Sequence, residues 1–506
     1  MAVSSIEVRC GGKRRAVVFS DGETLLAALR NAGFSLPAAC GGRGKCGKCR
    51  VRINGVQRLA CRAAPAEGDV VELPETAGGA ILTATVPVAP PAPVGAQEGI
   101  AAAVDLGTTT VAVRIYDLKT AAELTTRSAW NAQAPYGGDV LSRIRYTMDS
   151  SNGLHELSAI IRRQTEALIL AALAACGRGQ DELRSVFLAG NTVMQHIFAG
   201  LSVRPIAAAP FKPETLFADP MGDTLLGAEL NYAPCVAGYV GGDITAGLLA
   251  SGLCSAEGNS LFLDIGTNGE MALVGGGKVS CCAVASGPAF EGAGISCGMP
   301  ALKGAVSHVR YDRGFLYEVV GAGEAAGLCG SGLIDLVAVL LRLGCIDAGG
   351  RLLPPELAPE DLRRHIRPDG QGNGVFYLTE KVYLTAADVR SLQLAKAAVA
   401  GGIEVLLRRH GLSACRLDRV CLAGGFGNYI DPKSAMAIGM LPEILPQRLF
   451  SLGNTSLAGA SMAAIDPNKR CELRSCAEKC QYIELSGLRE FTEAFTDHIT
   501  FDTTED

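Results

Sequence analysis

Two stretches of the chain repeat one short pattern, in which an apolar strand ends in Asp-x-Gly-Thr and a second apolar strand follows. The first reads AAAVDLGTTT (residues 101–110), and the second, 159 residues later, reads SLFLDIGTNGE (260–270). The glycine permits a sharp turn that directs backbone N–H and hydroxyl groups at one spot, which suits anionic phosphate oxygens. A single turn of this kind is often only a structural connection between two strands. Its repetition predicts duplicated lobes that face one nucleotide.

The aspartates of the two turns, Asp105 and Asp264, are the candidate ligands for Mg²⁺. We expect them to act through waters, because Mg²⁺ gives up its hydration shell reluctantly. The residues predicted to cradle phosphates are Gly107, Thr108, Thr109, Gly266, Thr267 and Asn268. Asp243 is a candidate for orienting the attacking water, although a structural aspartate at a helix start fits equally well. The same two interpretations stay open for Glu270.

A third glycine motif, VCLAGGFGNY (residues 420–429), follows late in the chain. An apolar strand that runs into Gly424, Gly425 and Gly427 lets the backbone approach an adenine or a ribose closely. A simple strand-to-helix turn is the alternative. The order of the three motifs favours the nucleotide site.

The first 76 residues carry a cysteine pattern of a different kind, Cys40-x5-Cys46-x2-Cys49-x11-Cys61. Three thiols on a glycine-rich loop and a fourth on a following strand suit a [2Fe–2S] cluster, whose sulfides need backbone N–H groups nearby. Structural zinc usually takes two short Cys/His pairs, and only one C-x2-C is present here. Zinc and unpaired core cysteines remain the alternatives.

Composition divides the chain into four segments. Residues 1–76 alternate strand and helix signals, with Asn54-Gly55 as a hairpin turn, and predict a small β-grasp sheet. The Pro/Ala-rich residues 77–99 read as a linker. Residues 100–465 follow an α/β pattern, and residues 466–506 form a more polar segment that we expect to pack on the domain before it.

Charge and composition narrow the possible partners. The net charge is −5 and aromatic residues make up 5 %, which argues against nucleic acid. The N-terminus shows no export signal and we find no membrane span, so we expect a cytoplasmic protein with reduced thiols. Fourteen of the 18 cysteines are then read as packing residues. Residues 1–76 hold twelve basic and seven acidic side chains, and this +5 charge suits an acidic electron donor.

The order of the three glycine motifs resembles the actin, sugar kinase and Hsp70 ATPase superfamily. This resemblance implies two RNase-H-like lobes that close on ATP and Mg²⁺. It also places residues 241–243 and 453–460 where that superfamily has its connecting elements between lobes.

Further strings make the resemblance more particular. They are NAQAPYGGDVLSRI (131–144), AGNTVMQHI (189–197), CVAGYVGGDITAG (235–247), SGPAFEGAGISCGM (286–299), GLCGSGLID (327–335) and LTAADVRSLQLAKAA (384–398). With the N-terminal unit, a ferredoxin-like domain by resemblance, they resemble the reductive activators of corrinoid proteins. That resemblance implies an ATP-driven transfer of a low-potential electron that returns Co(II) to Co(I) in a corrinoid protein of a methyltransferase system. It further implies a homodimer. The acidic donor that the +5 charge of residues 1–76 suits would be a ferredoxin or a flavodoxin.

Another branch of that family carries [4Fe–4S] clusters near its C-terminus. Here Cys471, Cys476 and Cys480 lack the C-x2-C-x2-C-x3-C-P run, so we interpret them as non-ligands.

Three other functions stay open. The chain could activate a 2-hydroxyacyl-CoA dehydratase or a benzoyl-CoA reductase type of enzyme, but such activators usually bridge a [4Fe–4S] cluster between subunits and lack a β-grasp module. It could be a small-molecule kinase with an appended ferredoxin. It could also be a nucleotide-gated binding protein without catalysis, which ATP turnover stimulated by a partner would exclude.

Overall fold

The described residues form a five-stranded sheet, two six-stranded sheets that share an architecture, and two three-stranded sheets. The computed structural model describes residues 4–10, 13–19, 22–32, 34, 36, 44, 49–73, 98–266, 268–321, 323–427 and 429–501. The predicted linker therefore falls almost wholly outside the described residues.

The N-terminal unit has the expected β-grasp arrangement. Its elements are β1 (Ser5–Cys10), β2 (Lys13–Val18), α1 (Leu25–Asn31), β3 (Arg50–Ile53), β4 (Val56–Leu59) and β5 (Val70–Glu72). The strand order is β2-β1-β5-β3-β4, and β1 runs parallel to β5 at the centre. The hairpin prediction is confirmed, because Asn54 and Gly55 join β3 to β4 with φ angles of 51° and 81°, as a type I′ turn requires.

The next part of the chain builds the first large sheet. Its elements are β6 (Ile100–Leu106), β7 (Thr110–Asp117), β8 (Glu123–Trp130), α2 (Val140–Asp149), α3 (Gly153–Ala175), β9 (Leu183–Gly190), α4 (Thr192–Ala199), β10 (Thr224–Leu225), β11 (Ala228–Tyr232) and α5 (Gly242–Ala250). The strand order is β10-β11-β9-β6-β7-β8. All seven residues of β6 are buried, which explains its unbroken apolar sequence up to the aspartate.

The remaining elements contain the second large sheet. They are β12 (Ser260–Ile265), β13 (Gly269–Gly275), β14 (Lys278–Val284), β15 (Ala305–Tyr311), β16 (Phe315–Val319), β17 (Gly327–Leu328), α6 (Gly330–Arg342), β18 (Ile366–Pro368), β19 (Gly374–Tyr377), β20 (Tyr383–Leu384), α7 (Ala386–Arg409), β21 (Arg419–Ala423), α8 (Gly424–Gly427), α9 (Pro432–Ala437), β22 (Leu449–Gly453), α10 (Thr455–Ile465), α11 (Pro467–Lys479), β23 (Cys480–Tyr482) and α12 (Arg489–Asp497). The strand order is β22-β21-β12-β13-β14-β23.

The two large sheets repeat one topology. In each, three antiparallel strands come first in the chain (β6–β8 and β12–β14), and two later strands add in parallel beside the first of them. The duplication predicted from the paired turns is confirmed. The second sheet also carries an insertion, which runs from β15 to β20 and forms two small three-stranded sheets.

The segment after residue 466 is part of the second half of the fold. Its strand β23 pairs with β14, with Val279 opposite Cys480, and α12 packs on α7. The segment therefore supplies the edge of a sheet as well as packing on its surface. Within the described residues, no helix is both long and apolar enough to cross a membrane.

Helices α5 and α10 form the interlobe junction. On α5, Ala246 and Leu249 belong to a core with first-sheet residues, while Ile244 and Leu248 belong to a core with second-sheet residues. Helix α10 packs on β6 and β9 and lies directly against α5. The backbones touch at Gly459, where a Cβ atom would lie only 2.0 Å from the carbonyl oxygen of Ala246.

We expect the substitution Gly459→Ala to lower the thermal unfolding midpoint. Overpacking of this kind costs about 1–3 kcal/mol, and here the obstructing atom is backbone, which cannot move aside. In a helix, alanine is favoured over glycine by about 1 kcal/mol. A higher midpoint would therefore mean that this gain outweighs the clash, and that α5 and α10 separate easily. The control is Gly314→Ala, where a Cβ atom has no neighbour within 4 Å, and calorimetry of both variants measures the difference.

Candidate functional site

The first predicted turn lies between β6 and β7 and is braced by side chains from elsewhere in the fold. Gly107 is required sterically, because a Cβ atom there would lie 2.7 Å from the carbonyl oxygen of Thr110. Asn131 donates from Nδ2 to the Gly107 carbonyl at 2.9 Å, and its backbone N–H donates to the Thr109 carbonyl at 2.9 Å. The turn is thus held in one conformation before any ligand binds.

A buried arginine lies beneath the same turn. Arg143 donates from Nη2 to the carbonyl of Thr108 at 2.5 Å and from Nη1 to Oε1 of Gln133 at 3.1 Å. Burial lowers its pKa to about 9. On the other side, Asn191 at the start of α4 donates to the hydroxyl of Thr108 at 3.0 Å.

These bracing residues come from the strings at 131–144 and 189–197. Sequence reasoning used the strings as family marks but missed their role. One sign of this supporting role was available. The polar residues Asn131, Gln133 and Arg143 occur within one short segment, and the structure buries all three almost completely. Polar groups are buried only with partners, so such a run points to a hydrogen-bonded support for a neighbouring loop.

The second turn follows β12 and differs from the first. The N–H of Gly266 donates to the carbonyl of Asn268 at 2.8 Å, and Ser286 Oγ donates to the carbonyl of Gly266 at 3.1 Å. The backbone conformation at this turn does not itself require a glycine. Gly266 has no positive φ angle, and a Cβ atom would be 3.6 Å from its nearest neighbour. Thr267 lies outside the described residues.

The candidate carboxylates gather where the two large sheets meet. Asp105 lies next to the last residue of β6. It accepts hydrogen bonds from Asn454 Nδ2 and Ser456 Oγ, both at 2.7 Å, at the start of α10. Asp243 lies in the first turn of α5. Asp264 and Glu270 face each other across β12 and β13. Elements of both lobes therefore supply the group.

Burial and mutual repulsion make these carboxylates resist ionisation. Burial raises the pKa of Asp105, although its two hydrogen bonds oppose the shift. The pKa of Asp264 rises to about 7 through burial and then the charge of Asp105. The pKa of Asp243 also rises to about 7, through burial and then Asp264. Burial, Asp243 and Asp264 raise the pKa of Glu270 well above its usual range.

Such a group fits a divalent cation. Asp105 is buried, while Asp243, Asp264 and Glu270 keep partial access to solvent, as an exchangeable ligand requires. No group of three or more His, Cys, Asp or Glu side chains in the described ranges is close enough to hold a metal ion directly. Oxygen donors set back from a cation suit Mg²⁺, which keeps several waters.

The third glycine motif lies directly beside the second turn. Strand β21 pairs in parallel with β12, which places Ala423 opposite Asp264. Gly424 follows with φ of 80°, and a Cβ atom on it would lie 2.3 Å from Oδ1 of Asp264. Gly425 is exposed and Gly427 is buried in the short helix α8. Glycine is thus required at 424 by its conformation and by the space the carboxylate needs.

Two of the four predicted cluster ligands lie in the described part of the N-terminal unit. Cys49 and Cys61 are buried, and their thiol groups are direct neighbours. Burial raises the pKa of Cys49. Paired thiols at one spot fit a metal cluster that binds them as thiolates. Cys40 and Cys46 lie outside the described residues.

Comparison with known proteins agrees with this arrangement. Residues 8–71 match the 2Fe-2S iron-sulfur cluster binding domain family, residues 100–256 the RACo middle region, and residues 258–506 the C-terminal domain of RACo, the ASKHA domain. The boundary between the last two matches lies between the short helix that follows α5 and the start of β12. They therefore correspond to the two large sheets and their helices.

Individual relatives extend over most of the chain. The corrinoid activation enzyme RamQ of Eubacterium limosum is 31 % identical over 410 residues, which cover 78 % of this chain and 69 % of the relative. A [Co(II) methylated amine-specific corrinoid protein] reductase of Methanosarcina barkeri is 25 % identical over 417 residues, 74 % and 72 % of the two chains.

One solved structure resembles the whole molecule. A reductive activator for corrinoid, iron-sulfur protein superimposes with a TM-score of 0.70 at 29 % sequence identity, and the match covers 99 % of both chains. The match to the iron–sulfur domain, the matches to the RACo middle region and to the C-terminal ASKHA domain of RACo, and these relatives agree on one assignment: the chain belongs to the RACo family of reductive activators of corrinoid proteins.

Proposed function

We propose that the protein uses ATP to drive one electron from its [2Fe–2S] domain to a corrinoid protein, which returns Co(II) to Co(I) for methyl transfer. The observation that carries this proposal is the group of carboxylates and glycine turns at the interlobe junction, in a chain that also has a cluster domain. An electron carrier alone cannot couple transfer to a driving force. A nucleotide site between two lobes can.

The described residues suggest how ATP and Mg²⁺ would be held. The two turns offer backbone N–H and side-chain groups to phosphates, and Arg143 adds positive charge beneath the first turn. The phosphate-contacting set we propose is Gly107, Thr108, Thr109, Gly266, Thr267 and Asn268. Asp105 and Asp264 would hold Mg²⁺ through waters, and Asp243 would orient the attacking water. Gly424, Gly425 and Gly427 would flank the adenosine.

The helices that carry the carboxylates would couple the nucleotide site to binding of the corrinoid protein. Asn454 and Ser456 hold Asp105 and begin α10, while Asp243 begins α5. These two helices are the junction between the lobes. A cation or nucleotide that shifts the carboxylates therefore acts on the packing of α5 against α10. If the corrinoid protein binds the resulting states with different affinities, the nucleotide state changes its binding.

The cluster domain would receive the electron from an acidic donor. Cys40, Cys46, Cys49 and Cys61 would hold the [2Fe–2S] cluster, which supplies the one-electron chemistry. The +5 charge of residues 1–76 suits a ferredoxin or a flavodoxin. A cytoplasmic homodimer completes the proposal.

We expect the purified protein to form Co(I) on its corrinoid partner only when reductant, Mg²⁺ and ATP are all present. The absorption of Co(I) measures the product, and the EPR signal of the reduced protein measures the cluster. Cys46→Ala should lose both the cluster signal and Co(I) formation. Its matched control, Cys10→Ala, changes a thiol on β1 of the same domain and should retain both. Equally fast Co(I) formation without nucleotide would contradict the proposal.

We expect Asp264→Asn to stabilise the nucleotide-free protein while it slows ATP turnover. The folded protein raises the pKa of Asp264 to about 7, so folding favours its protonated form. The free energy of unfolding then falls as pH rises towards 7 and is lowest above it. At pH 8 the neutral amide should raise the unfolding midpoint by roughly 2–4 °C, the effect of about 1 kcal/mol in a domain of this size. The gain should shrink at pH 6.

The same variant should lose about 10–100-fold in ATP turnover, as is usual when a group that orients metal-bound water is removed. Asp335→Asn is the matched control. Asp335 is also buried with a raised pKa, but it accepts hydrogen bonds from the Val309 N–H at 3.2 Å and from His308. It should leave ATP turnover intact. A lower midpoint for Asp264→Asn would contradict the view that burial and neighbouring like charges destabilise the ionised carboxylate.

A further inference from the structure

Four cysteines that we interpreted as packing residues form a row. The thiol of Cys254 contacts that of Cys476, Cys476 contacts Cys480, and Cys480 contacts Cys281. They come from four separate places: the short helix after α5, helix α11, the first residue of β23 directly after α11, and strand β14. The sequence spacing of 476 and 480 gave no sign of this, because the outer two members lie about 200 residues earlier.

The row lies where the two lobe cores meet. On α11, Leu473 packs in the core shared with the first sheet, and Cys476 packs in the core shared with the second sheet. Cys254 and Cys480 are partly accessible to solvent, while Cys476 and Cys281 are buried. A small molecule can thus reach the row from either partly exposed thiol.

The arrangement favours bond formation within the row over a shared metal ion. The contacts run from one thiol to the next, and no three metal-binding side chains among the described residues are placed around one point. A disulfide instead needs two Cβ atoms about 3.5–4.5 Å apart and Cα atoms closer than about 7 Å. Three neighbouring pairs are available.

Backbone geometry selects one of these pairs. Cys476 and Cys480 are four residues apart at the end of one helix, where Cβ atoms lie about 5–6 Å apart, too far for a relaxed disulfide. Cys480 pairs with Val279, so Cys281 is two residues out of register, about 7–8 Å away across neighbouring strands. Only Cys254 and Cys476 lie on packed elements without such a constraint.

The surroundings of Cys476 favour its thiolate form over that of Cys254. It lies in the middle of the row, where the thiols of Cys254 and Cys480 both donate hydrogen bonds to it and Lys479 adds positive charge. These contacts lower its pKa, while the thiols of Cys254 and Cys480 have raised pKa values as donors. The thiolate is the form of cysteine that reacts with oxidants.

We propose that Cys254 and Cys476 form a dithiol–disulfide site at the interlobe junction that reacts with peroxide. The Cys476 thiolate attacks one oxygen of hydrogen peroxide, which gives the sulfenic acid and hydroxide. The Cys254 sulfur then attacks the Cys476 sulfur, and a sulfur–sulfur bond replaces the sulfur–oxygen bond. In balance, two thiols lose two electrons and two protons to one peroxide, which becomes two waters.

The disulfide would tie α11 to the segment that follows α5. This consequence rests on the proposed function, because it matters only if α5 and the helices packed on it move during ATP turnover. Helix α11 packs against α5 and α10. A covalent link at this point opposes such movement, so the oxidised protein should turn over ATP more slowly when its corrinoid partner is present.

Peptide mapping of the full-length protein with its cluster tests the site directly. The protein is exposed to increasing hydrogen peroxide, its remaining thiols are alkylated, and its peptides are identified by mass spectrometry. The expected result is a peptide pair joined through Cys254 and Cys476 that forms before other cysteines oxidise and that dithiothreitol separates. In Cys254→Ala, Cys476 should proceed to the sulfinic acid. Cys421→Ala, a buried cysteine of the same core, should behave as the unmodified sequence does.

Measurements on the same samples also give the results that would overturn the proposal. No linked peptide, or a link from Cys476 to Cys480, would overturn the proposal. So would a metal ion beyond the cluster iron that is lost in Cys476→Ala. Partner-stimulated ATP turnover should fall at least about fivefold on oxidation, the lower end of usual coupling between sites, and Cys254→Ala should resist this loss. If the reduced protein shows no ATP turnover, the proposed function fails while the peptide map still decides the site.

Discussion

The burial of several carboxylates together at the interlobe junction, and their mutual repulsion, is the constraint on which the structure depends. Asp105, Asp243, Asp264 and Glu270 come from different strands and helices of the two lobes, and each resists ionisation because the protein desolvates it. Without a cation this group costs free energy, since charges leave water without compensation. In the proposed function a bound Mg²⁺ would offset that cost, and its binding would act on both lobes together.

The surrounding packing makes the site responsive as a unit. The residues that hold Asp105 begin α10, Asp243 begins α5, and the two helices touch at Gly459 with no side chain between them. Closely packed backbones do not yield gradually, and interfaces of this kind tend to have discrete arrangements. A change of charge at the carboxylates therefore has a direct route to the relative position of the lobes.

Much of this could be predicted from the sequence, because the relevant signals are local. An apolar strand before Asp-x-Gly-Thr and the Asn54-Gly55 turn specify their own conformations. The support for the first turn could not be predicted, because Arg143 reaches the turn from helix α2. No periodic pattern in the sequence marks this arginine as buried. The thiol row could not be predicted either, since Cys254 and Cys476 meet only through tertiary packing.

The central claim is that the nucleotide site and the corrinoid partner are coupled through the junction. Its most direct test is the equilibrium affinity of the protein for its corrinoid partner, measured by calorimetry with and without Mg²⁺ and a non-hydrolysable ATP analogue. The account predicts that the nucleotide changes the partner's Kd and that the partner changes the nucleotide's Kd by the same factor, as linkage requires. Equal partner affinity in both conditions would contradict it.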